Sequence, residues 1–245
     1  MRVDKDTRYH ADTKLSLNTI AMLYVVATPI GNMKDITTRA LEVLEEVDFI
    51  IAEDTRKTGL LLKRHNLTKK PFVSFHKYNE KKCLQHIVEK LKQGMRGALV
   101  SNAGTPCISD PGYLLVRKCR EEHIAVVSLP GPTAVINALV LSGFPLDTFL
   151  FLGYLPKKQG ERKKRLESIV QLRTTLVIFE SPYRILRLLN EIHNILGERQ
   201  CALLREMTKM FEEVRCDSLS NLISSIHDKR IKGEITLVID NRIKK

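Results

Sequence analysis

The sequence predicts an α/β protein made of two α/β domains, on three observations. Short apolar runs alternate with helically spaced apolar residues from residue 23 to residue 129. The Gly-, Pro- and Asp-rich segments fall directly after those apolar runs. Pro130-Gly131-Pro132 then interrupts the alternation, and a second set of strand-like runs follows. Strands that alternate with helices form a parallel sheet covered on both faces, with ligands outside the carboxyl ends of its strands.

Taken in order, residues 1–22 are polar, mixed in charge and without period. They read as a flexible extension outside the fold, with Met22 an alternative translation start. Residues 23–27 form a buried strand, and Ile36, Ala40, Val43, Leu44 and Val47 repeat at helix spacing. Strand 48–52, helix 55–66 and strand 72–75 follow, and Leu84, Ile87, Val88 and Leu91 mark a third helix. Strand 98–101, helix 112–122 and strand 124–129 complete the first domain, 23–129. Pro130-Gly131-Pro132 reads as the linker to a second domain, 130–245. Its strands are expected at 148–152, 175–179, 200–206, 212–215 and 234–239. Ser181-Pro182 is expected to cap a helix that buries Ile185, Leu188, Leu189 and Ile192. Neighbouring strands around Cys201 and Val214 imply a partly antiparallel sheet.

Composition narrows the function classes. The chain has 245 residues, 43% of them hydrophobic, which suits two compact domains and excludes fibre or disorder. No apolar run reaches the ~18 residues of a membrane span, and the N-terminus lacks a signal-peptide core, so a cytoplasmic protein is expected. Five cysteines without Cys-x-x-Cys spacing fit reduced core thiols better than a disulfide framework or zinc site, and the seven histidines show no ligand spacing. No metal is expected. Forty Lys and Arg against 28 Asp and Glu give +12, a balance that favours a polyanionic partner, RNA before an anionic membrane.

Polar residues gather after the strands of the first domain. Asn32 and Asp35 follow the first strand, Glu53-Asp54-Thr55-Arg56 the second, and a loop from Ser101 to Gly112 the fourth. Pro130, Thr133 and Ala134 follow the fifth. Singly, each segment reads as a helix cap or turn. Together they meet at one sheet edge, and a cap does not need a loop of twelve residues. Neither a Gly-x-Gly-x-x-Gly fingerprint nor a Gly-Lys-Ser/Thr phosphate loop is present, so dinucleotides and nucleoside triphosphates are poor candidates.

The blocks LYVVATPIGNMKDIT, AEDTRKTGLLL, SNAGTPCISDPG, LPGPTAVINALVLSGFP, FESPYR and REMTKMFEE occur in this order between residue 23 and about residue 239. The chain thereby resembles the small-subunit ribosomal RNA methyltransferase I family, within the tetrapyrrole methylase (class III methyltransferase) superfamily. The resemblance implies two α/β domains with a cofactor cleft between them, a homodimer, and no metal. It implies transfer of a methyl group from S-adenosylmethionine (SAM) to the ribose 2′-hydroxyl of a cytidine in small-subunit (16S) rRNA, free or in the assembled subunit. By motif, it implies cofactor contacts from Ser101, Asn102, Ala103, Gly104, Thr105, Pro106, Ser109, Asp110, Pro130, Thr133 and Ala134. From the second domain it adds Glu180, Ser181, Arg205, Glu206 and Thr208. Asn102 stands where the family usually has Asp, which keeps an acceptor but loses a charge that could pair with the cofactor ammonium.

The chemistry is an in-line displacement at an already electrophilic methyl, so positioning carries most of it, up to ~7–11 kcal/mol. The ribose hydroxyl is a poor acid, and a carboxylate base would add about 10²–10⁴-fold. Glu53, Asp54 and Asp35 are the available carboxylates, with Arg56 and Asn32 beside them. Their structural role would be helix capping and pairing with arginine. A C-methyltransferase of the same superfamily is a rival, disfavoured because Thr-Pro-Ile-Gly-Asn replaces its Gly-rich first loop. A non-catalytic RNA-binding relative is a second rival, and SAM binding discriminates it.

Overall fold

The computed structural model describes residues 21–227 and 231–242. Its first half contains β1 (Met22–Val26), α1 (Thr38–Glu46), β2 (Phe49–Ala52), α2 (Thr55–Arg64), β3 (Phe72–Ser74), α3 (Glu80–Lys92), β4 (Arg96–Val100), α4 (Tyr113–Glu121) and β5 (Ala125–Leu129). The strands pair in the order β3-β2-β4-β1-β5, all parallel. Alternation along the strands sends side chains to opposite faces. Leu23, Phe49, Ile51 and Leu99 pack with Ile87 and Leu91 of α3 and Leu115 of α4. Val26, Ile50, Ala98 and Val100 pack with Ala40 and Leu44 of α1 and Leu62 of α2 on the other face. The doubly covered parallel sheet is the expected one.

The second half contains α5 (Ala134–Ser142), β6 (Phe149–Tyr154), α6 (Gln159–Glu167), β7 (Thr175–Glu180), α7 (Ile185–Leu196), β8 (Gln200–Arg205), β9 (Glu213–Ser218), α8 (Leu219–Ile226) and β10 (Ile235–Asp240). The order is β6-β7-β10-β8-β9, with β6 and β7 parallel and β10 antiparallel to both its neighbours. β8 and β9 are antiparallel. One face of this sheet buries Leu176, Ile178, Leu203 and Leu237 under Leu166 of α6, Leu189 of α7 and Leu222 of α8. Each fully buried aliphatic side chain stabilises by about 1.5–3 kcal/mol, and truncating Leu189 to Ala would cost roughly 2–5 kcal/mol. The other face buries Val177, Ala202, Leu204 and Val238 under Val135, Ala138 and Leu139 of α5. Ile30, from the loop after β1, joins that same cluster, so the halves share a hydrophobic seam.

Two expectations need correction, and two helices carried no sequence expectation. Met22 is not part of an extension: it opens β1 and pairs with Arg96 and Ala125. The rest of that segment, residues 1–20, lies outside the described residues. Ser181-Pro182 does not cap α7, which starts at Ile185 after Arg184 with no side-chain cap; residues 182–184 form a turn first. α5 was hidden from periodicity because it is apolar all round: it buries Ala138 and Leu139 and leaves Ile136 and Val140 exposed. α6 was hidden for the opposite reason, since it buries only Leu166 and Arg162. The Arg162 guanidinium meets Glu191 at 2.5 and 2.7 Å and donates to the Pro156 and Lys157 carbonyls, so a satisfied ion pair takes the place of an apolar stripe.

Candidate cofactor cleft

All strands of the first sheet end on one edge, and the segments that leave β1, β2, β4 and β5 build one wall of a cleft of about 290 Å³, to which the loop after β3 adds nothing. The loop after β4 is held at its base by a two-way bridge: Thr28 N–H donates to the Gly104 carbonyl at 2.9 Å, and Gly104 N–H to the Thr28 carbonyl at 2.8 Å. Gly104 has φ +78°, a conformation that favours glycine. The Thr105 hydroxyl donates to the Pro132 carbonyl at 3.1 Å and ties this loop to the one after β5. Asn102, Ala103, Gly104, Thr105, Ser109 and Asp110 therefore line the cleft, with Thr133, Ala134 and Val135 beside them.

Glu53 also lines the cleft, and its carboxylate accepts from the Asn102 backbone N–H at 3.2 Å. Burial pushes the Asp110 carboxyl up to about 6; the Glu53 charge adds to the effect, and the Ser101 hydroxyl bond works against it. Three carboxylates, Glu53, Asp110 and Glu234, thus face one space with a single lysine, Lys57, a lining that suits the cationic groups of a ligand. The rest of the lining is largely apolar: Ile30, Val135 and Met207, with Phe179 and Tyr154 in ring contact at 5.7 Å. A small ligand with one cationic end and one flat apolar end fits this division. Among the described residues, no group of three His, Cys, Asp or Glu is placed to hold a metal ion.

The other named residues sit elsewhere. Asp54 is the N-cap of α2: it accepts from Arg56 N–H at 3.0 Å and is clasped by the Arg56 guanidinium at 3.1 and 2.9 Å. Those bonds hold its carboxyl down to about 2. Of the two acids in this loop, Asp54 is the cap and Glu53 faces the cleft. Asn32 caps a short 3₁₀ turn that contains Asp35, and neither lines the cleft. The Ser101 backbone carbonyl accepts from the Thr28 hydroxyl, and neither the buried Pro106 nor the exposed Pro130 lines the cleft.

The second-half residues expected from the resemblance need a larger correction. Glu180 does not face the cleft. It follows Phe179 on β7, and alternation turns its side chain to the opposite face, where Arg184 Nη2 lies 3.0 Å from Oε2. That contact is an ion pair without hydrogen-bond alignment, because Oε2 is buried and lacks a hydrogen-bond partner. Ser181 donates its N–H to Glu180 Oε1. Arg205 pairs across the strands with Glu213 at 3.0 Å. Glu206 and Thr208 stand at the rim: Glu206 binds Lys209, and Thr208 Oγ1 accepts from Asn32 N–H at 3.0 Å. The second wall instead comes from Tyr154 and Phe179 at the ends of β6 and β7, Met207 after β8, and Glu234, Ile235 and Thr236 at the start of β10. β10 runs antiparallel, so its first residues pair with Glu180 and Arg205 at the same edge. A strand start carries no turn signal, so only strand direction could have found these residues.

Residues 22–223 match the family model of tetrapyrrole (corrin/porphyrin) methylases. The chain is 49% identical over 226 residues to a ribosomal RNA small subunit methyltransferase I of Haemophilus influenzae, covering 91% of this chain and 80% of that one. A protein of the same name from Thermotoga maritima is 46% identical over 220 residues, covering 90% and 98%. Among solved structures, the uroporphyrin-III C-methyltransferase of Thermus thermophilus superposes with TM-score 0.63 at 19% identity, over 90% of this chain and 95% of that one. A cobalt precorrin-4 methyltransferase of cobalamin biosynthesis gives 0.65 at 14%, over 89% and 94%. At those identities the two structures speak for the fold alone.

Proposed function

The chain belongs to the tetrapyrrole methylase family, and from that premise we propose that it transfers a methyl group from SAM to the ribose 2′-hydroxyl of a cytidine in small-subunit rRNA. The observation that carries the reading is near-half identity over nine-tenths of the chain to small-subunit rRNA methyltransferases. The cleft fits the cofactor: the carboxylates of Glu53, Asp110 and Glu234 suit its cationic groups, Lys57 suits its carboxylate, and the apolar wall with Phe179 suits its adenine. When bound, SAM supplies the electrophilic methyl.

The chain's own residues orient the reactants. The loop from Asn102 to Thr105 would present its backbone to the cofactor, Asp110 would hold its ammonium, and the apolar Ile30 and Val135 would keep water from the cleft. Glu53 receives the ribose hydroxyl proton. Asp54 keeps α2 in register and holds Arg56, which lies exposed for an RNA phosphate. Asn32 and Asp35 lie outside the lining, so their part is to shape the loop that meets the RNA.

Two coarser readings complete the proposal. The division at Pro130-Gly131-Pro132 into 23–129 and 130–245 is supported by α5, which packs on the second sheet. A homodimer is supported by the exposed Ile136, Val140 and Leu141 of α5, which soluble monomers rarely present together. No helix of the described residues is long and apolar enough to cross a membrane, and a cytoplasmic setting accords with an rRNA substrate. The test is mass spectrometry of small-subunit rRNA from cells with and without the gene. One ribose-methylated cytidine should disappear; an unchanged rRNA, or a missing methyl on a base atom, would overturn the reading.

A further inference from the structure

The segment between β8 and β9 has a strained backbone and carries two exposed apolar side chains at its tip. Glu206 and Thr208 adopt φ +53° and +66°, and for a β-branched threonine that is a strained backbone. The surroundings enforce it. Thr208 Oγ1 accepts from Asn32 N–H across the seam. Lys209 Nζ lies between Glu206 at 2.9 Å and Glu234 at 2.8 Å. Gly31 leaves no room to relax, since a Cβ there would stand 2.5 Å from Lys209 Cγ and 2.6 Å from Thr208 Oγ1. Two successive turns, Lys209 N–H to the Glu206 carbonyl and Glu212 N–H to the Lys209 carbonyl, then carry the chain outward. At the tip, Met210 is 90% exposed and Phe211 68%.

Strain held in place by a network serves an element that must be rigid, and here the rigid element presents an aromatic face to solvent. Its root is the cleft rim, because Met207 and Glu234 line the cleft and Asn32 belongs to the loop after β1. The mouth carries both signs: Arg56 is paired with Asp54 and the glutamates Glu206, Glu212 and Glu234 stand near the tip, while Lys34 and Lys57 are exposed and have no acidic partner among the described residues. An exposed aromatic with unpaired cations at the same mouth is the arrangement that binds unpaired nucleotides, with phosphates on the cations and a base stacked on the ring. We infer that Phe211, with Met210 beside it, is the stacking platform for an unpaired base of the RNA substrate, which places the adjoining ribose at the mouth of the cleft. This rests on the RNA methyltransferase reading and names how that substrate is seated.

The experiment compares wild type with Phe211→Ala and Phe211→Tyr. The substrate is small ribosomal subunits from cells lacking the gene, and a fluorescently labelled single-stranded cytidine-containing oligoribonucleotide reports binding. For Phe211→Ala, kcat/KM should fall about tenfold and oligonucleotide affinity should fall with it. SAM affinity should stay within twofold. The slope of log affinity against log salt should not change, because no phosphate contact is lost. Phe211→Tyr should restore most of the activity. Activity of Phe211→Ala within twofold of wild type would overturn the inference. So would a parallel loss of SAM affinity, which would make the tip part of the cofactor site, or conversion of a dimer to monomers by sedimentation, which would make it a contact between copies. Wild-type enzyme that binds SAM but never methylates the subunits would instead sink the functional reading from which the inference starts.

Discussion

The two sheets contribute unequal walls to the same cleft. In the first sheet every strand runs the same way, so the strand ends share one edge, and the segments after β1, β2, β4 and β5 line the cleft. In the second sheet β10 runs against β7 and β8, so that edge combines the ends of β7 and β8 with the start of β10. The first wall is made of polar, turn-forming loops, and the second of strand residues such as Phe179, Ile235 and Thr236. Parallel architecture concentrates chemistry in loops, whereas mixed architecture spreads it along strand termini, where alternation decides which neighbour faces the ligand.

The comparison can be broken most directly within the first wall. Glu53→Gln should lower turnover at least tenfold and leave SAM affinity and melting temperature nearly unchanged, since Glu53 faces the cleft and caps nothing. Single-turnover assays beside calorimetry measure both. Normal turnover would remove Glu53 as the base.

Setting Asp110 against Glu180 contrasts the walls themselves. Asp110→Asn should weaken SAM binding about tenfold, whereas Glu180→Gln should leave it within twofold, because Glu180 lies on the far face of its sheet. Equal losses would mean that the second sheet rearranges around the cofactor.

Asp110 also sets a pH dependence. Its carboxyl titrates at about 6 instead of 3.8, so the charge that attracts a cationic ligand is complete only above that pH. SAM affinity should rise several-fold from pH 5 to pH 7.5 in wild type and stay flat in Asp110→Asn. Stability runs the other way. The native state holds the proton more tightly than the unfolded chain, so this group's contribution is fully present below pH 4 and is lost as pH rises through 6. The shift would correspond to roughly 3 kcal/mol for a fully buried group, and solvent screening of this partly exposed one reduces it to about 1. Asp110→Asn should therefore gain about 1 kcal/mol over wild type at pH 7.5 and nothing at pH 4 by chemical denaturation.

The smallest effect separates neighbours. Asp54→Ala should cost about 1 kcal/mol of stability through the lost N-cap of α2, with turnover per folded molecule close to wild type. A tenfold loss of turnover would return Asp54 to the reaction.

The sequence by itself determined the first sheet, its doubly covered core and the loop from Asn102 to Asp110, because local periodicity and turn chemistry act over a few residues. It also carried the family blocks that point to SAM and to rRNA. It could not determine which acid of Glu53-Asp54 faces the ligand, since both sit at one strand end and only the cap geometry of α2 assigns Asp54 to the helix. Nor could it place Thr236 in the site or Glu180 out of it. Those assignments depend on strand direction and on which face of the pleat meets the other sheet, and both are settled by contacts between residues far apart in the chain.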